Sequence, residues 1–137
     1  MNYNGIELYE KKGKIGVLVS PGFGAGWSTW ECDELAYDKR VVEFWLSHKN
    51  DKEFMATVNE FGWGNCPESK AHKEAMEFFN SIGYGSPYMG GFDDIELEYV
   101  DKGMPWRISE YDGSERLETL DTAGFITFAE DKEDTNG

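Results

Sequence analysis

Ser20-Pro21-Gly22-Phe23-Gly24-Ala25-Gly26-Trp27-Ser28-Thr29-Trp30 is the stretch of this chain whose residue types best suit chemistry. Gly22, Gly24 and Gly26 stand at every second position and add no side chain to a core. Glycine is best placed where the backbone takes a positive φ or must approach another group closely. Exposed amides in such a loop form a concave nest for an anion. Ser28 and Thr29 add hydroxyl donors, while Trp27 and Trp30 offer flat faces for a base or another planar group. The loop lacks the lysine of a phosphate-binding P-loop and the Gly-x-Gly-x-x-Gly register of dinucleotide folds. The same residues also suit a tight connection whose tryptophans pack inward.

Two further stretches share this character. Gly83-Tyr84-Gly85-Ser86-Pro87-Tyr88-Met89-Gly90-Gly91 is again glycine-rich and aromatic, and Tyr88 joins the first loop in one expected concave site. The alternative is a hinge between helices and strands. In Arg107-Ile108-Ser109-Glu110-Tyr111-Asp112-Gly113, a strand that turns Trp106 and Ile108 inward leaves Arg107, Ser109 and Tyr111 on the opposite face. Arg107 and Tyr111 suit a phosphate and a ring, with Lys39 and Arg40 as supporting cations. A surface arginine in so acidic a chain also pairs readily with a carboxylate. Glu110 and Asp112 have acid–base potential, but no histidine adjoins them in sequence, so a non-enzymatic role without cofactor is expected. Cys32 and Cys66 lack metal-site spacing, and His48 and His72 lie apart on two predicted helices, so free thiols and no metal are expected.

These residues need elements to position them. Tyr3–Glu10 and Lys14–Ser20 read as strands joined by a turn at Lys11-Lys12-Gly13-Lys14, the second more deeply buried. The middle is helical. Asp38 caps a stripe of Val41, Val42, Trp45 and Leu46; a second helix from Asp51 buries Phe54, Met55, Val58 and Phe61. Pro67 and Glu68 open a third, lined by Ala71, Ala75, Phe78, Phe79 and Ile82 and stopped by Gly83. Strands return at Ile95–Val100, Trp106–Tyr111 and Phe125–Phe128, with turns at Lys102-Gly103 and Asp112-Gly113. The order predicts an α+β fold: a mainly antiparallel sheet, with two or three helices inserted between N- and C-terminal strand sets. Residues 1–129 form one expected domain, followed by a disordered acidic tail over 130–137.

Charge narrows the partners. The chain has 137 residues, 39% hydrophobic and 15% aromatic, with 13 Lys+Arg against 27 Asp+Glu and a net charge of −14. Such a balance argues against a nucleic-acid backbone or an anionic membrane as direct partner. No apolar run spans a bilayer and no secretion signal opens the chain, so a cytoplasmic location is expected. Asp93, Asp94, Glu96, Glu98 and Asp101 crowd one strand, where same-face spacing of about 6.7 Å is comparable to that of nucleic-acid phosphates.

Val19 to Trp30, Tyr88 to Gly91 and Arg107 to Gly113 together resemble a group of small phage and prophage proteins of uncharacterised function. The resemblance implies a phage accessory protein in the host bacterial cytosol, where counter-defence is a common role. Sequestration of a nucleotide-type immune signal is the first expectation, with Gly22, Gly24, Gly26, Trp27, Ser28, Thr29, Tyr88, Arg107 and Tyr111 as the ligand-binding set. The pocket is expected at a homo-oligomer interface. The alternative is an acidic mimic of nucleic acid that docks on a basic groove of a host defence protein.

Overall fold

A computed structural model describes residues 2–22, 26–62 and 64–119. Its architecture follows from strand β4 (Lys14–Val19), in which every residue from Ile15 onward is buried. β4 pairs antiparallel with the short β3 (Glu10–Lys11) on one edge and with β5 (Glu96–Asp101) on the other. The register from Lys14↔Asp101 to Val19↔Glu96 puts Leu18 and Leu97 on one face, and Ile15, Val17, Val19 and Val100 on the other. The Leu18 face packs against Val41, Val42, Trp45, Phe79 and Phe92 from the helical middle. The other face meets Leu8, Ala36 and Tyr37, with Trp106, Ile108 and Leu117 beside them. Those last three belong to the hairpin β6 (Trp106–Tyr111) and β7 (Ser114–Thr119). A strand covered on both faces needs no polar side, hence the unbroken apolar run in its sequence.

Three two-residue turns carry positive φ at both positions: Asn4-Gly5 (53°, 80°), Lys12-Gly13 (54°, 79°) and Asp112-Gly113 (50°, 85°). These are the mirror-image turns that match the twist of paired strands. Asn4-Gly5 breaks the strand expected over Tyr3–Glu10 into a miniature hairpin, β1 (Asn2–Tyr3) and β2 (Ile6–Glu7). Leu8 then bridges to Asp38.

The helices are α1 (Glu34–Tyr37), α2 (Lys39–His48), α3 (Lys52–Thr57) and α4 (Lys70–Ser81). The result is an α+β fold with antiparallel ladders, as expected, and with α1 added to the three anticipated helices. α1 is separate because Asp38 is extended (ψ 122°), which interrupts the helical path before α2 begins. Asp51 caps α3 by accepting from the Phe54 amide. Phe61 lies beyond the end of α3 and is exposed rather than on its buried stripe. α4 starts later than Pro67 because Ser69 accepts from the His72 amide and caps it. It ends where Gly83 (φ 97°) turns back, so that the Gly83 amide bonds Asn80 and the Tyr84 amide bonds Phe79. No helix among the described residues is long and apolar enough to cross a membrane. The strand expected at Phe125–Phe128, the domain limit at 129 and the expected tail fall outside the described residues.

Asp38 ties helices and strands together. Its buried carboxylate accepts from the Arg40 amide and guanidinium and, at 2.7 Å, from the Tyr84 hydroxyl. Burial pushes its pKa up, but the Arg40 and Tyr84 hydrogen bonds outweigh it and hold the carboxyl below 3.8. A carboxyl whose pKa is depressed on folding stabilises the fold fully above its unfolded value, and that gain is lost as pH falls through the lower folded value. Asp38→Asn keeps an acceptor for the cap but removes the charge, and is expected to cost about 1–2 kcal/mol at neutral pH. Urea titrations of both proteins should show that difference intact down to the ordinary carboxylate range and closing only below it, as the folded Asp38 takes up its proton. A gap that persists unchanged after that protonation would remove the carboxylate's charge as its cause.

Candidate functional site

The glycine-rich loop does form an anion nest, and the anion is Glu115. This residue is the second of β7, just after the Asp112-Gly113 turn, and is only 2% exposed. One carboxylate oxygen accepts from the Ser20 amide at 3.0 Å. The other accepts from the Trp27 amide at 2.7 Å, the Thr29 amide at 3.0 Å and the Thr29 hydroxyl at 2.6 Å. The Glu115 amide in turn donates to the Ser20 carbonyl at 2.8 Å. A second carboxylate, Asp94, takes the Gly22 amide at 2.6 Å. An incoming phosphate would therefore meet amide donors already engaged by internal carboxylates.

The parity of the β6–β7 hairpin explains why the loop has to supply those donors. Cross-strand pairs Trp106↔Thr119, Ile108↔Leu117 and Glu110↔Glu115 lie on one face. Two like charges directly opposite each other destabilise a ladder unless each has its own donors. Glu110 obtains them from the Gly113 amide at 2.6 Å and the Trp30 indole at 3.2 Å, which together hold its carboxyl below the usual carboxylate range. The loop thus folds over the acidic end of the hairpin and donates hydrogen bonds to both carboxylates. A glutamate at the inward parity of Leu117 is the signal for Glu115 in the sequence, and the glycine-rich loop alone does not carry it.

The two glycine-rich loops meet, as their shared composition suggested. A side chain at Gly91 would collide with the Gly26 carbonyl and the Ser20 hydroxyl, and one at Gly26 with the Trp30 ring. This close approach sets Trp30 and Tyr88 ring to ring, with centroids 5.4 Å apart. Both are exposed, Trp30 at 43% and Tyr88 at 38%. Glu31 accepts from the Tyr88 amide at 2.9 Å, completing an aromatic surface rimmed by Glu31 and Glu110.

The expected ligand set is divided by this geometry. Gly22, Gly26 and Thr29 belong to the nest and its close contacts, and Tyr88 to the exposed surface. Gly24 lies outside the described residues. Trp27 is fully buried, between Phe79 and Phe92, so it presents no face for stacking. Ser28 is buried as well, in the short 3-10 turn Ser28–Trp30. Arg107 lies on the far face of β6, with its Nε 2.9 Å from its cross-strand neighbour Glu118. That pair depresses the Glu118 pKa. Tyr111 is 78% exposed at the hairpin tip. The supporting cations have acidic partners too: Lys39 lies 3.4 Å from Glu7 and Arg40 2.8 Å from Asp38. The arrangement separates the aromatic and cationic groups that a single nucleotide clamp would combine.

The remaining chemical candidates are structural in position. His48 Nε2 lies 2.9 Å from Glu74 and joins α2 to α4, while His72 Nδ1 meets the Val58 carbonyl at 2.8 Å. Cys32 and Cys66 are free thiols, and burial pushes the Cys32 thiol up. Among the described residues no cluster of three His, Cys, Asp or Glu side chains could hold a metal. The acidic run on β5 is split: Glu96 and Glu98 share the face of Val17 and Val19, whereas Asp101 points the other way beside Lys14. Burial, then repulsion from Glu96, raises the Glu98 pKa. The expected one-sided row of carboxylates shortens to that pair. No protein-family model, curated protein or solved structure matches the chain.

Proposed function

We propose that this is a non-catalytic docking protein that engages a basic groove of a partner protein through the face built by Trp30, Tyr88, Glu31 and Glu110. The observation that carries this reading is the division of labour in the loops. Internal carboxylates take the amide nest, while two aromatic rings remain exposed among acids in a chain of net charge −14. Tyrosine and tryptophan anchor protein interfaces, and arginine stacks on their faces while pairing with nearby carboxylates. The long-range field steers basic partners inward and anions away. The likeness of the Val19–Trp30 and Arg107–Gly113 blocks to phage proteins makes a host defence protein the partner class to try first. A nucleotide at the glycine loop would have to displace the Glu115 carboxylate.

The test uses a short arginine–glycine peptide as a defined basic probe, with a lysine–glycine peptide as control. Binding by the full chain should favour arginine and weaken steeply as salt rises through about 0.15 M. Trp30→Ala with Tyr88→Ala is expected to weaken it at least ~10-fold, with urea midpoints near that of the wild type. Unchanged affinity in that double variant would overturn the proposed face. A saturable thermal shift with nucleotides that is lost in Thr29→Ala would return the function to the loop.

A further inference from the structure

Among the described residues, β6 pairs with a strand on one edge only, that of β7. The Glu115 amide donates outward to the Ser20 carbonyl rather than across to Glu110, so Glu110↔Glu115 is a pair without ladder hydrogen bonds. Alternation makes Ile108↔Leu117 and Trp106↔Thr119 such pairs as well. The N–H and C=O groups of Trp106 and Ile108 therefore point away from β7, and among the described residues no hydrogen bond is made to them. At the hairpin tip the Trp30 indole lies against Glu110, which leaves Trp106–Ile108 as the open length of this edge. A cavity of about 500 Å³ runs along it. Trp106, Arg107 and Ile108 all line that cavity, and consecutive strand residues face opposite ways, so it lies beside the edge rather than over one face. Met104, Trp106 and Ile108 keep part of their surface open there, whereas Tyr37, packed against the Trp106 ring, is closed off. The exposed Asp33 and half-buried Glu34, at the start of α1, complete the wall.

We infer that this edge takes an extended basic peptide segment as an added antiparallel strand, with an apolar side chain in the cavity and lysine or arginine beside it. Strand addition draws affinity from main-chain hydrogen bonds and specificity from pockets for alternate side chains. A residue opposite Ile108 exchanges both backbone bonds with it and turns its side chain to the same face, toward Met104 and Trp106. Its basic neighbours meet Asp33 and Glu34, while the charge of Arg107 is met by Glu118 at 2.9 Å. The field of the whole chain, −14 in net charge, steers them inward. A second copy of this chain would bring its own acidic charge to those carboxylates, so it is the poorer occupant. The inference is independent of the docking face, since Trp30, Tyr88, Glu31 and Glu110 do not line this cavity.

The probe is a glycine–lysine–isoleucine–lysine–glycine peptide with acetylated and amidated ends, titrated into the full chain and followed by NMR. At saturation the Ile108 amide should exchange with solvent at least ~10-fold more slowly, while the Arg107 amide, already bonded across to β7, is unchanged. N-methylation of the isoleucine removes one of the paired bonds and should weaken binding at least ~10-fold. Asp33→Asn combined with Glu34→Gln should weaken it several-fold, while leaving unchanged the affinity of a peptide with serine for both lysines. Equal affinity for the N-methylated peptide would overturn the inference, as would the absence of binding. Binding lost in the Trp30→Ala, Tyr88→Ala double variant would assign the peptide to the docking face and overturn it too. So would an Ile108 amide already protected in a chain that sediments as a dimer, which would make a second copy the occupant.

Discussion

Glu115→Ala is expected to destabilise the protein by about 3–5 kcal/mol, because several buried donors lose one shared charged acceptor at once. Three backbone amides and one hydroxyl converge on that carboxylate at 2.6–3.0 Å. Truncation leaves all four donors without their acceptor in a site only 2% exposed. Each buried donor left unmade costs about 1–3 kcal/mol, and the costs overlap because the loop relaxes as one piece. Glu115→Gln should fall between alanine and wild type. Its amide oxygen still serves the Trp27 and Thr29 donors, but its NH₂ group faces the Ser20 amide. Urea denaturation measures both effects, and an unchanged slope would confirm that stability rather than compactness has moved. The alanine variant also uncovers a vacant nest of the right shape for a carboxylate. Acetate or formate should therefore raise its melting temperature while leaving the wild type unmoved. A loss under about 1 kcal/mol in Glu115→Ala, with no rescue, would mean that the loop is organised by something other than this anion.

Trp27→Ala and Trp30→Ala should behave as opposites although they lie three residues apart. Trp27 is fully buried, its ring centroid 5.4 Å from that of Phe92 and 6.0 Å from that of Phe79. Deleting such a side chain leaves a cavity in the main core and is expected to cost roughly 3–5 kcal/mol. Domains of ordinary stability hold only about 5–15 kcal/mol, so Trp27→Phe is the variant to purify if alanine does not fold. Trp30 is 43% exposed and, among the described residues, pairs its ring with Tyr88. Its removal should change stability by about 1 kcal/mol or less while weakening the arginine–glycine peptide. Parallel urea titrations and peptide binding separate the two roles. Equal stability losses at both positions would mean that the ring pair at the surface is part of the core rather than an interface.

Much of the fold was readable because its causes are local. The Lys12-Gly13 and Asp112-Gly113 turns, the Asp38 cap, the helix start at Asp51 and the Gly83 stop each depend on residues a few positions apart, and each holds. Asn4-Gly5 carried the same turn signal, but the alternation of Ile6 and Leu8 concealed it. The loop amides were rightly read as an anion nest, and the two glycine-rich loops rightly as neighbours. What the sequence left open was the occupant. Charge says that a nest attracts an anion, but not whether the anion is a ligand or a glutamate from the same chain. Local concentration decides between them: a tethered carboxylate is always present, while a ligand must be supplied.

The sequence by itself determined the α+β order, the deep burial of β4 and the acidic balance of the chain, since these follow from periodicity, turn chemistry and net charge. Only the tertiary structure decided that Trp27 turns inward while Trp30 turns out. It alone brought Glu115 into the loop across 88 positions of sequence and paired Arg107 with Glu118. It also packed Tyr3, Tyr37 and Trp106, from three distant segments, edge to face on one another. Such outcomes depend on which of many oppositely charged or apolar partners the packed chain brings within a few ångströms. That choice rests on small differences summed over the whole core, which no local pattern contains.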